Sequence, residues 1–246
     1  MTNALRFIRK LAFANMLAND RLHEAVSALR PGEFEAPRTG FFPSLVATLN
    51  HILIIDWFYI DALEGGDLGP KAWQNAVPYP DAAELRAAQR ASDSRLLTLC
   101  QKLQEEDLGR PTRVHRTGRI QVERTDDVLS HLFQHQTHHR GQVHGLLSAT
   151  PVKPPQLDEF IVGDDAAAGS EDMARLGWTE ADLQRFIDRW KNLKERAAGQ
   201  GGEAARGAGG GGGDVLRGPH GPQRRRRGLP AAGRRDHELG TAQPGR

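Results

Sequence analysis

Cysteine is nearly absent: Cys100 stands alone in 246 residues, so no intramolecular disulfide can form and nothing demands an oxidising compartment. A cytoplasmic protein is the expectation. Long apolar runs are missing as well, none reaching the roughly 18 residues expected of a spanning helix. The N-terminal stretch carries Arg6, Arg9 and Lys10, but its apolar part is interrupted and no small-residue cleavage site follows. Neither a signal peptide nor a membrane partner is expected. Cys100 itself lies among leucines and reads as a small core residue rather than a nucleophile.

Large apolar residues almost vanish from Ala197 onward. That stretch holds 15 of the 27 glycines and the runs Gly209 to Gly213 and Arg224 to Arg227. It cannot bury enough surface to offset its ordering entropy, so residues 197–246 read as a disordered tail and 1–196 as one domain. The tail has nine arginines against four acids, so the formal net charge of +2 leaves the domain near −3. The basic character therefore belongs to the tail. Arginine without interleaved aromatics gives bases little to stack on, which argues against nucleic-acid binding. The Arg/Gly/Pro/Ala wording is also what a G- and C-rich gene yields when read out of frame.

Within the domain, apolar periodicity predicts a first helix over residues 3–29, stopped at Pro31-Gly32. A second helix is expected from Pro43, in its first turn, to Leu63, with Gly65-Gly66 behind it. Ile52 to Ile60 is apolar almost all round except for Asp56, which places this helix centrally in the core. Asp81 caps a third helix over about 82–105, and Arg113 to Glu123 reads as a small hairpin turning at Thr117-Gly118. Thr125-Asp126 is expected to cap a fourth helix running to about Ser148. A final helix is expected over about 180–196, after a loop from Pro154 to Gly177. These elements describe an all-α fold, a four-helix bundle with a crossover, carrying a short hairpin and a C-terminal helix.

Five of the ten histidines fall between His131 and His144, on the fourth helix. At about 100° per residue, with His135 as zero, Val128, Leu132, Val143 and Leu146 lie at about 20°, 60°, 80° and 20°. His139, at about 40°, lies inside that apolar face and His135 on its edge. His131 and His138, at about −40° and −60°, point to the polar side. His135 and His139 thus share a face at i, i+4, the spacing of two metal ligands on one helix. A catalytic ion usually takes a third protein ligand. His51 on the apolar second helix is the natural one, with Ser44, Ala47 and Ala62 leaving room beside it. Trp57 and Tyr59 read as core.

The residues Ala14-Asn15 to Arg21-Leu22, Leu49-Asn50-His51-Ile52 and His135-Gln-Thr-His138-His139-Arg140-Gly141-Gln142 resemble the DinB family of bacterial damage-inducible proteins over roughly 1–196. That resemblance implies a four-helix bundle of up-down-down-up order holding a divalent ion, often nickel or zinc, on a second-helix histidine and both ends of the HxxxH motif. Those positions are His51, His135 and His139. It further implies a homodimer and a metal-dependent thiol (S-)transferase or isomerase acting with a low-molecular-weight thiol such as bacillithiol or mycothiol. A metal-dependent hydrolase and a non-catalytic, stress-related metal-binding dimer are the alternatives. Hydrolysis lacks a general base, because Gln136 stands where an HExxH motif has its glutamate and Asp56 is off the His51 face. Gln142 can orient a ligand, Gly141 suggests close packing of another helix, and Arg140 can pair with Asp158 in the following loop.

Overall fold

The computed structural model of the chain divides into two units, 1–200 and 201–246. The described residues are 3–157, 170–179 and 181–182, all in the first unit. They are mostly helical: α1 (Asn3–Ser27), α2 (Leu45–Leu63), α3 (Ala82–Lys102), α4 (Glu105–Leu108), α5 (Thr125–Leu147) and α6 (Ser170–Leu176), with a 3-10 turn at Gly69–Trp73. One antiparallel hairpin, β1 (Pro111–Arg116) and β2 (Arg119–Arg124), precedes α5, and Gly118 takes φ +71° at its turn.

Helix ends follow local chemistry, with two departures from expectation. Asp81 caps α3 as expected, accepting from the amides of Ala83 and Glu84 at 2.9 Å. Gly65, at φ +84°, closes α2 as C′. The start of α2, however, is Ser44 rather than Pro43: its hydroxyl accepts from Ala47 N at 3.2 Å, and Pro43 lies before the cap. Thr125 does not cap α5 either. It is the first helical residue, its Oγ1 3.0 Å from Thr112 Oγ1 and donating to Arg110 O at 3.1 Å, which ties the helix to β1.

Packing separates the core into two apolar clusters. One gathers Leu5 to Leu17 of α1 with Ile54 to Ala62 of α2, Leu96 to Cys100 of α3 and Val128 to Phe133 of α5. The other gathers Leu22 and Val26, Leu45 to Leu53, Leu85, and Val143 to Leu147 from the same four helices. Between them lies a buried polar layer: Asn15 and Asn19 of α1, Asp56 of α2, Gln89 and Asp93 of α3, Gln136 and Arg140 of α5. Along the chain, α1 and α5 run from the first cluster to the second, and α2 and α3 run back. α1 packs on α3 and α5, and so does α2.

Among the described residues, α2 is long and apolar enough by length and composition to cross a membrane, contrary to the expectation that no such run exists; 67% of it is buried against its neighbours. Cys100 is fully buried, and burial pushes its thiol up to about 12, as suits a core residue. The expected loop from Pro154 to Gly177 contains α6, whose Arg175 and Asp172 reach Asp20 and Arg21 of α1. The helix expected over 180–196 lies outside the described residues, apart from 181–182, and the tail lies outside them altogether.

Candidate metal centre

The seam between α2 and α5 brings His51, His135 and His139 together, with one ring nitrogen from each inside a 4.8 Å group. His51 Nε2 lies 3.1 Å from His135 Nε2. Ring centroids stand 5.0 Å apart for His51 and His135, 4.6 Å for His51 and His139, and 4.3 Å for His135 and His139. His139 is buried, whereas His51 and His135 are half-buried at the edge of the seam, so solvent reaches the group from one side. His131 and His138 are exposed, and His144 is half-buried one turn further on; none of them joins the group.

Burial holds all three imidazoles neutral. It draws His51 down to about 3, with His139 adding to the effect, and draws His135 down to about 2 with the other histidines behind it. His139 is lowered by burial too, against the opposing hydrogen bond of Gln142. Neutral imidazole is the ligating form. The 3.1 Å between two Nε2 atoms suits two ligands of one tetrahedral ion, which are about 3.3 Å apart for bonds of about 2.0–2.1 Å. The donor set therefore fits a divalent metal.

Gln142 fixes the third ring. His139 Nδ1 donates to its Oε1 at 2.8 Å, while the Gln142 amide nitrogen donates to His138 Nε2 at 3.1 Å, so the His139 Nε2 lone pair is left for an ion. The orienting role open to Gln142 is thus the geometry seen. Phe42 walls the centre, its ring 4.4 Å from His51 and 5.7 Å from His139. Ser44, one of the small residues expected beside His51, is turned to the cap of α2, and the Phe42 ring lies against His51.

Two readings of the motif need correction. A Cβ built on Gly141 would meet nothing within 4 Å, so among the described residues no helix packs against it. Arg140 is buried and donates to Asn15 Oδ1 and, at 3.2 Å, to Asn19 Oδ1, instead of reaching toward a following loop; Asp158 lies outside the described residues. Gln136 is fully buried and donates to Asp56 Oδ1, while Gln89 Nε2 donates to Asp56 Oδ2 at 2.8 Å and to Asp93 Oδ1 at 3.2 Å.

This layer was missed by sequence reasoning, although one signal was visible: Gln136 and Arg140 repeat the i, i+4 spacing of His135 and His139, shifted by one residue. The two pairs divide α5 between them. One faces α2 and the centre; the other engages α1, α2 and α3. Anchoring Gln136 and Arg140 therefore sets the rotation of α5 about its axis, and with it the aim of both histidines.

A sequence model of the DinB family matches residues 1–171. The chain belongs to the DinB family. No functionally curated protein matches it. The family match takes in the whole histidine group and both pairs on α5, and in this DinB protein the ligand-type residues and their supports come from all four long helices.

Proposed function

We propose that this DinB protein holds nickel or zinc on His51, His135 and His139 and uses it, with a low-molecular-weight thiol, for S-transfer or isomerisation. The observation that carries the reading is an all-imidazole donor set that no carboxylate of the described residues joins. Three neutral ligands leave a dication's charge uncompensated, which favours an anionic fourth ligand. When bound, the ion supplies the positive charge that lowers a thiol's pKa and holds it as thiolate. Phe42 excludes water from one side, and Gln142 keeps His139 in the ligating tautomer.

Hydrolysis is the weaker version, since activating water needs a general base. Asp56 is fully buried with an oxygen committed to each of Gln89 and Gln136, and burial raises its pKa to about 6. The same proposal takes the four long helices as a four-helix bundle of up-down-down-up order, on the running directions described above, and the protein as a cytoplasmic homodimer without membrane or nucleic-acid partner.

The test is elemental analysis of the full chain purified alongside His51→Ala, His135→Ala and His139→Ala. Wild type is expected to carry about one ion per chain and each variant well under half of that; equal content in all four would overturn the site. Metal-loaded protein is then incubated with thiols and an aromatic halide. Conjugation above background is expected, and none with any thiol would leave a non-catalytic metal-binding protein.

A further inference from the structure

Beyond the centre, the seam between α2 and α5 continues toward the hairpin as a partly exposed strip that the proposed chemistry does not use. On α2, Ile55 and Tyr59 follow His51 at successive i, i+4 steps; on α5, His131 precedes His135 by one turn. The His131 ring stands 6.4 Å from that of His135 and 5.1 Å from that of Tyr59. At the far end, Arg116 of β1 donates from Nη2 to the Tyr59 hydroxyl at 3.0 Å and from Nε to Gln121 Oε1 at 3.1 Å. Its guanidinium also lies over the rings of Phe58 and Tyr59, at 5.0 and 5.7 Å from their centroids.

Arg116 is therefore held in place on three sides yet has no carboxylate partner among the described residues. Most of the arginines that the four long helices present do have one: Arg86 and Arg90 meet Asp20, and Arg95 meets Glu64. Its Nη1 makes no hydrogen bond among the described residues, so a preorganised, half-exposed cation offers donors at one end of a strip whose other end is the histidine centre. A planar guanidinium with spare N–H groups recognises a carboxylate in bidentate fashion. Eight residues of helix separate His51 from Tyr59, a span of about 12 Å.

We propose that Arg116, seated on Tyr59 beside His131, binds a carboxylate of the substrate, so that the thiol taken at the histidine centre is an acidic one whose carboxylate lies about two helical turns from its sulfur. This inference rests on the proposed thiol-binding role of the centre and names the class of thiol. Half-buried Ile55, between the two ends, offers the connecting part of such a molecule an apolar contact.

The experiment uses the full chain loaded with cobalt(II), whose visible thiolate band reports binding without turnover. Affinities are measured for 3-mercaptopropionate, 8-mercaptooctanoate and the neutral 8-mercaptooctanol. The octanoate is expected to bind about tenfold more tightly than the alcohol, the value of a charge-assisted pair of about 1.4 kcal/mol; the short acid gains no such advantage. Arg116→Gln, which can still bond to Tyr59, is expected to abolish the preference while leaving cobalt content and mercaptooctanol affinity unchanged, and Arg116→Lys to restore part of it. Equal affinities for long acid and alcohol in the wild-type protein overturn the role of Arg116 and need no variant. A preference that survives Arg116→Gln does the same. No thiolate band with any of the three overturns the thiol-binding centre itself, and the assignment of Arg116 with it.

Discussion

A single side chain, Gln142, decides which nitrogen of the His139 imidazole is free. The HxxxH spacing and helical phase were enough to choose His135 and His139 over His131 and His138, because burial on one helix face is a property of one segment. The role of Gln142 was open in the sequence, since a glutamine three residues after a histidine is as often a surface residue. Its link from His138 to His139 settles the geometry. Gln142→Ala is expected to lower metal affinity 10- to 100-fold, the usual effect of losing the partner that fixes a ligand's tautomer. A competition titration with a chromophoric chelator measures it, and Gln142→Glu, which still accepts from Nδ1, should stay closer to wild type. An unchanged affinity in the alanine variant would mean that the ring is held by the helix alone.

Elements were legible where periodicity and caps agreed. The bounds of α1 and α3, the glycine stop of α2 and the hairpin turn at Gly118 came out close to expectation, because each depends on residues near in sequence. The cap of α5 did not, since Thr125 is engaged by Thr112 and Arg110 of the preceding hairpin arm. Gly141 failed for a related reason. A glycine inside a helix signals either close packing or an unexplained cost, and only the neighbours distinguish the two. With none of the described residues within 4 Å of its missing Cβ, Gly141→Ala is expected to stabilise the protein by about 0.5–1 kcal/mol through backbone entropy and helix propensity. Urea unfolding of the metal-free proteins reads this directly. Destabilisation would show that something occupies that face.

Across the whole molecule, the polar layer between the two apolar clusters holds α5 at one rotation. Burial raises the pKa of Asp56 and, together with the neighbouring Asp56 carboxylate, that of Asp93; Arg140 opposes both and is itself lowered to about 10 by burial. Removing the one cation of the layer leaves two carboxylates in the core without it. Arg140→Met is expected to cost about 1–3 kcal/mol, the range for leaving buried polar groups such as Asn15 and Asn19 without their partner, and to lower metal content by freeing the rotation of α5. Adding Asp93→Asn should recover part of the loss, and a double-mutant cycle in urea measures the coupling. Strictly additive effects would mean that the layer does not act as a unit.

By itself the sequence determined what depends on short range: helix periods, caps, the glycine stop, the single cysteine's core character, and the face shared by His135 and His139. It also offered His51, on the apolar second helix, as the third ligand, on the strength of its apolar surroundings and of the small residues expected beside it. Tertiary structure decided everything that needs two distant segments in contact. Asp56 was an interruption in an apolar run until Gln89 and Gln136 met it, Arg140 a partner for an acid in the following loop until Asn15 and Asn19 enclosed it, and Arg116 a hairpin residue until Tyr59 placed it at the end of the histidine seam. Polar groups in a core are satisfied by partners tens of residues away, and that pairing is written in no local pattern.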